Sequence, residues 1–205
     1  MILIIDYGIG NPGSIRNMLK KIGVEAVISS NIPDIEKADK LILPGVGAFD
    51  NGMKNLRERG LIPALNDKVI NQKIPILGIC LGMQLLTNKS EEGKLEGLGL
   101  IDAETVKFRF NAANDNLRIP HMGWNQIKSI KKSPLVNGVE ENSRFYFVHS
   151  YHVVCRNNED ILAIANYGYD FVAAVNRDNI FGVQFHPEKS HKFGMQILKN
   201  FAELY

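Results

Sequence analysis

One stretch restricts the possible folds of this chain more than any other: Lys73-Ile-Pro-Ile-Leu-Gly-Ile-Cys-Leu-Gly-Met-Gln-Leu-Leu86. Residues 76–79 form a short apolar run behind Pro75, which reads as a buried parallel strand, and over residues 81–86 the pattern turns helical. Between them, Gly78-Ile79-Cys80-Leu81-Gly82 is the thiol version of the Gly-x-Ser-x-Gly turn that presents a nucleophile between strand and helix. So sharp a bend forces the nucleophile into a strained backbone conformation, and a side chain at either glycine would clash with it. The sulfur also comes to lie near a helix N-terminus, where free N–H groups and the positive dipole end favour a thiolate. The N–H of Leu81 would then face an oxyanion on a substrate carbonyl. Taken alone, the pentapeptide is equally compatible with a buried structural cysteine.

Size and composition bound the answer loosely. A length of 205 residues fits one domain, or a domain with a small subdomain. The hydrophobic content of 45% suits a soluble globular protein. A net charge of +2 gives no reason to expect nucleic acid or an anionic membrane as partner. Met1-Ile-Leu-Ile-Ile5 ends at Asp6, with no basic segment before it. It is too short for a signal peptide's apolar region or a membrane span, and reads as a first strand. Cys80 and Cys155 could pair, but an extracellular disulfide scaffold would carry more cysteines, so the expected compartment is the cytoplasm.

The first half alternates short apolar runs with helical patterns. Strands are expected over residues 2–5, 24–28 and 40–43, with helices over 14–22 (Ile15, Met18, Leu19 and Ile22 on one face), from 47 onward (Phe49, Met53, Leu56) and over 62–70. This alternation predicts a mostly parallel sheet with helices on both faces. Reactive loops in such folds lie at the carboxyl ends of the strands, so Pro44-Gly-Val-Gly47 and the cysteine turn should share one edge. After glycines 93, 97 and 99 the texture changes to strand-like runs over 105–108, 126–130, 144–148, 152–154, 162–166, 171–176 and 180–185. Residues 111–116 read as an exposed polar loop, and a closing helix over 190–205 carries Phe193, Ile197, Phe201 and Leu204 on one stripe. There is no internal repeat or linker, so the two halves are expected to share one core in a single domain spanning residues 1–205.

The second chemical signal is Gly182-Val-Gln-Phe-His-Pro-Glu188. A nucleophilic cysteine needs a base, and the base needs a partner to fix its tautomer. His186 and Glu188 can fill those roles if their strand end lies beside Cys80; by itself, His-Pro-Glu is also an ordinary polar turn.

Residues 78–86, Pro44-Gly-Val-Gly-Ala-Phe49, Pro120-His-Met-Gly-Trp-Asn125, Phe145-Tyr-Phe-Val-His-Ser-Tyr151 and Gln184-Phe-His-Pro-Glu-Lys-Ser190 together resemble the class I (triad) glutamine amidotransferases. Within that superfamily they resemble the HisH branch, the glutaminase subunits of imidazole glycerol phosphate synthase. The resemblance implies a flavodoxin-like α/β fold with extra antiparallel strands in the second half. It implies that Cys80 attacks the side-chain amide of L-glutamine to form a γ-glutamyl thioester, that His186 moves the protons, and that Glu188 orients His186. An oxyanion hole would draw on Leu81 and on Val46 or Gly47, and Gln84, His149, Ser150 and Tyr151 match glutamine-binding segments. No metal or cofactor is implied.

The partner implied is a HisF-type (β/α)8-barrel cyclase, which takes up the ammonia before solvent can protonate it. Residues facing that partner would include Asn11, Trp124, Tyr146 and Lys189, although Trp124 also reads as ordinary core and Lys189 as a solvated charge at a helix start. One departure from the family pattern stands at Pro12-Gly13, where an apolar and then a variable residue is usual. HisH-like paralogues that supply ammonia for amidation of a surface-polysaccharide sugar share these motifs.

Overall fold

The computed structural model describes residues 1–111, 117–140 and 142–204; of the expected loop, residues 112–116 lie outside the described set, as does Tyr205. In chain order, the first half runs β1 (Ile2–Ile5), α1 (Pro12–Lys21), β2 (Ala26–Ser29), α2 (Ile32–Lys37), β3 (Lys40–Leu43), α3 (Phe49–Glu58), α4 (Leu61–Asn66), β4 (Ile76–Ile79) and α5 (Leu81–Leu85). A π-helical turn, Asp67–Asn71, extends α4. The second half runs β5 (Lys89–Ser90), β6 (Ala103–Lys107), β7 (His121–Gln126), β8 (Lys128–Ser129), β9 (Arg144–His149), β10 (Tyr151–Cys155), β11 (Ile161–Asn166), β12 (Asp170–Arg177), β13 (Ile180–Val183) and α6 (His191–Glu203).

β2, β1, β3, β4 and β13 lie side by side in parallel. Beyond β13 the sheet turns antiparallel through β12, β10 and β6, with β11 and β8 branching from β12. This is the expected α/β architecture, parallel in its centre and antiparallel in the second half. All four residues of β1 are buried, and they alternate between layers. Ile2 and Ile4 pack with α1 and α6, while Leu3 and Ile5 pack with residues of α2 to α5. A strand covered on both faces reads as a near-continuous apolar run, which is why β1, β3 and β4 are plain in the sequence. The layer holding Ile4 and Ile15 also holds Phe145, Phe185 and Phe201, so residues from both halves meet in one core.

Three of the boundaries that differ from expectation have identifiable causes. α1 begins at Pro12 because Asn11 caps it, its Oδ1 accepting the Ser14 N–H at 3.1 Å, and proline suits the first helical position. β2 starts two residues late because the Val24 N–H closes the end of α1 on the Leu19 carbonyl. The run expected over 126–130 holds β8 and only the last residue of β7, which begins at His121 and forms a separate ribbon with β9 in register from His121 opposite His149 to Gln126 opposite Arg144. Gly123 and Asn125 argue against a strand by propensity, and pairing overrides them. Among the described residues, no helix is long and apolar enough to cross a membrane.

Candidate active site at the cysteine turn

Cys80 sits between β4 and α5 with φ +54° and ψ −111°, a left-handed backbone that a side chain adopts only when its surroundings impose it. Its N–H is held by the Val183 carbonyl at 2.8 Å, on the neighbouring strand β13. Both glycines of the turn are sterically required. A Cβ on Gly78 would lie 2.7 Å from the Gly82 carbonyl oxygen and the Met83 nitrogen, and one on Gly82 would overlap the Leu43 carbonyl of β3. The sulfur is buried but faces polar atoms, with Gln184 Nε2 at 3.8 Å and the Val148 carbonyl at 4.0 Å.

Beyond β13 the chain turns out at His186, whose N–H donates to the Tyr146 carbonyl at 2.9 Å. Ser190 locks this turn: its hydroxyl donates to the His186 carbonyl at 2.6 Å and accepts the Tyr146 N–H at 3.0 Å. His186 Nδ1 meets Glu188 Oε1 at 2.8 Å, with both side chains buried. With Nδ1 so engaged, Nε2 is the ring atom left for chemistry; it and Glu188 Oε2 are buried without a hydrogen-bond partner among the described residues. Burial works against a charge on His186, but the Cys80 sulfur and the Glu188 carboxylate outweigh it and push the imidazole up to about 9.

The Pro44–Gly47 loop packs directly on the turn. A Cβ on Gly45 would lie 2.7 Å from Leu81 Cβ and 2.8 Å from the Gly82 nitrogen, so only glycine permits the approach. The Tyr7 hydroxyl anchors the loop by donating to the Pro44 carbonyl at 2.6 Å. Val46 is 42% exposed, and Gly47 has φ +115° with open space around it. Leu81 opens α5, so its N–H has no partner within the helix.

Gln84, one helical turn on, spends both amide hydrogens inside the protein, on the Tyr151 carbonyl at 3.1 Å and on Gln184 Oε1 at 3.0 Å. His149 Nδ1 lies 2.7 Å from the same Tyr151 carbonyl, and burial pushes its imidazole down to about 3. Ser150 links these two residues at the junction of β9 and β10, its carbonyl accepting the Phe108 N–H at 3.1 Å. The Tyr151 hydroxyl is raised by burial and by the charges of Glu92 and Glu91.

The four residues expected to face a partner lie around the same end of the molecule. Asn11, His186, Glu188 and Lys189 share a cavity of about 220 Å³ with the Pro44–Val46 backbone. Lys189 Nζ stands 5.5 Å over the Tyr146 ring. Trp124 is 46% exposed, so it is not core; it stacks on His191 at 5.3 Å and meets Tyr146 edge-on. Gln184, Tyr7, His121 and Asn125 were not anticipated in any role. The available signal was polar residues inside otherwise apolar or paired strand ends, but it names no partner until the fold is known.

A strained cysteine between a parallel strand and a helix, with a histidine–carboxylate pair delivered from the adjacent strand, defines a class of protein. The family model for class-I glutamine amidotransferases matches residues 3–204, and the chain belongs to that family. Its relatives there are more particular. It is 59% identical to imidazole glycerol phosphate synthase subunit HisH 2 of Methanococcus maripaludis, over 99% of both chains. It is 54% identical to HisH 2 of Pseudomonas aeruginosa and 48% identical to HisH of Leptospira borgpetersenii, over 100% of each chain. Among solved structures, a glutamine amidotransferase superposes with a TM-score of 0.75 at 19% identity over 99% of both chains. PurLQS from Thermotoga maritima gives 0.74 at 18% identity, over 98% of this chain and 96% of that one. At such identities these structures share the fold.

Proposed function

We propose that the chain is the glutaminase subunit of imidazole glycerol phosphate synthase, acting in the cytoplasm as a single amidotransferase domain over residues 1–205. It hydrolyses L-glutamine to glutamate and ammonia and delivers the ammonia to a HisF-type (β/α)8-barrel cyclase, which forms imidazole glycerol phosphate and AICAR in histidine biosynthesis. The observation that carries this reading is the full-length identity with HisH subunits, joined to a buried Cys80–His186–Glu188 cluster.

In the reaction, the Cys80 sulfur adds to the side-chain amide carbon of glutamine. The Leu81 N–H, with Val46 or Gly47 from the facing loop, receives the charge that develops on oxygen. His186, held protonated by its neighbours, gives its Nε2 proton to the departing nitrogen, and the C–N bond breaks to leave a thioester and ammonia. Water then adds to the thioester while His186 takes one of its protons; the C–S bond breaks, the product acid loses its proton to solvent as glutamate, and the thiolate–imidazolium pair is restored. Glutamine seats against Gln84 and the His149–Tyr151 turn. The cavity lined by Asn11 and Lys189 opens toward the partner, with Trp124 and Tyr146 on the docking rim.

The test is Cys80→Ala in the complex with the cyclase. Glutamine-dependent synthesis should fall at least ~10³-fold, while synthesis from added ammonium salts stays within about twofold. Equal loss of both would defeat the delivery of ammonia between subunits. A second reading keeps the same chemistry and changes the acceptor: an ammonia supply for amidation of a surface-polysaccharide sugar. It is prompted by the motifs that HisH-like paralogues share, and two of the relatives carry the number 2 in their names. The barrel protein that co-purifies from native cells and raises glutaminase turnover separates the two.

A further inference from the structure

A line of hydrogen bonds runs from strand β7 to the glutamine side of the cysteine. Asn125 Nδ2 meets His121 Nε2 at 3.3 Å, His121 Nδ1 meets His149 Nε2 at 3.0 Å, and His149 Nδ1 meets the Tyr151 carbonyl at 2.7 Å. Both ends fix the direction of every proton. At one end the Tyr151 carbonyl can only accept, so His149 must carry its proton on Nδ1 and offer a lone pair at Nε2. At the other end, Asn125 Oδ1 accepts the Gln126 N–H at 2.8 Å, which sets the amide so that Nδ2 points at His121 and donates. His121 therefore accepts at Nε2 and donates from Nδ1. The two conditions agree, and one arrangement satisfies all of the bonds.

This arrangement needs both rings neutral, and burial holds them so, pushing His121 down to about 4 and His149 to about 3. From the Tyr151 carbonyl the line continues through Gln84 to Gln184 and the Cys80 sulfur. Neither His121 nor Asn125 touches the sulfur.

We propose that His121 is a positioning residue for glutamine hydrolysis: its Nδ1–H holds His149, and through His149 the Tyr151 carbonyl and the turn against which glutamine seats. The proposal rests on the glutaminase reading above. It gives β7 two faces with different tasks. His121 and Asn125 serve the turn from within, while Met122 and Trp124 stand exposed on the other side.

Two variants test it in the complex. His121→Phe keeps a flat ring against Tyr167, which stacks on His121 at 4.2 Å, and removes the donor. His121→Asn places an amide nitrogen close to the position of Nδ1. His121→Phe should raise the KM for glutamine about tenfold, the effect of leaving one buried acceptor unpaired, with kcat changed less than threefold. Alkylation of Cys80 by iodoacetamide should keep its native rate, since the thiol and its histidine are untouched. His121→Asn should return KM to within about threefold of native. Asn as impaired as Phe, or Phe with native KM, would overturn the proposal.

Imidazole 15N spectra of the unmodified protein give a readout that needs no variant to fold. Both rings should be neutral with the proton on Nδ1, and an Nε2-protonated tautomer at either residue would overturn the relay. Should the unmodified complex bind glutamine without hydrolysing it, the glutaminase reading alone fails. The glutamine Kd of the same variants then judges His121.

Discussion

His186 and the His121–His149 pair make a controlled comparison inside one protein. The three rings are buried to nearly the same degree, with 2%, 3% and 6% of their surface exposed. Yet His186 is pushed up to about 9, while His121 and His149 are pushed down to about 4 and about 3. Burial opposes charge in every case, so depth does not decide the outcome; the partners do. His186 has the Glu188 carboxylate at 2.8 Å and the Cys80 sulfur as its other neighbour, both of which favour an imidazolium. Among the described residues, the nitrogens of the other two rings hydrogen-bond each other, an amide and a carbonyl, which satisfy neutral rings and do not balance a charge. The charge on His186 itself further discourages one on His149. One site thus holds a proton donor and a proton-silent scaffold side by side.

The largest expected consequence comes from removing the partner that sets His186 apart. Glu188→Gln keeps the shape and loses the charge, and glutaminase kcat should fall ~10³–10⁴-fold. In the native enzyme the imidazolium is lost as pH rises through about 9, so activity should decline there. In the variant that alkaline decline should move to lower pH, measured as a kcat/KM profile; an unmoved limb would break the comparison. Next, Asn125→Asp places a carboxylate beside His121 Nε2 and gives the neutral pair the kind of partner His186 enjoys. His121 should then titrate about two pH units higher, a ~100-fold gain in proton affinity, read by NMR. A ring still titrating near 4 would show that depth, not partner, rules.

The smallest effect concerns stability. His121 and His149 have folded values below the ordinary 6.5, so the unfolded chain binds more protons as pH falls, and folding should weaken between about pH 6.5 and 4. His186 has the opposite sign: its contribution is present below 6.5 and is lost as pH rises through about 9. Denaturant titrations should show an acid-side loss that approaches about 1.4 kcal/mol per pH unit for each ring of the buried pair. A flat acid side would mean that the rings are already charged in the fold.

Much of the architecture could be read directly because its physical causes are local. β1, β3 and β4 are covered on both faces, and apart from Lys40 at the start of β3 each is an apolar run bounded by turn residues. Gly78 and Gly82 bracket Cys80 because the backbone leaves no room for a Cβ, a constraint written into consecutive residues. β7 differs from expectation because its boundaries depend on β9, whose paired residues lie 18 to 28 positions further on, and not on the preferences of Gly123 and Asn125. α2, six residues long with Pro33 in its first turn, offers too short a period to register as a helix.

The sequence by itself determined which groups could act: one cysteine on a forced turn, one histidine tied to a glutamate by a proline, and the motifs shared with a family. Those are properties of neighbouring residues, set by sterics and chemical type. Only the tertiary structure decided how each group is charged and what it holds. Gln184 reaches the sulfur, His121 supports His149, and Trp124 lies at the surface because strands more than twenty residues apart in the chain are brought side by side. Charge on a buried imidazole follows what stands within about 3 Å of it, and that distance is set by packing.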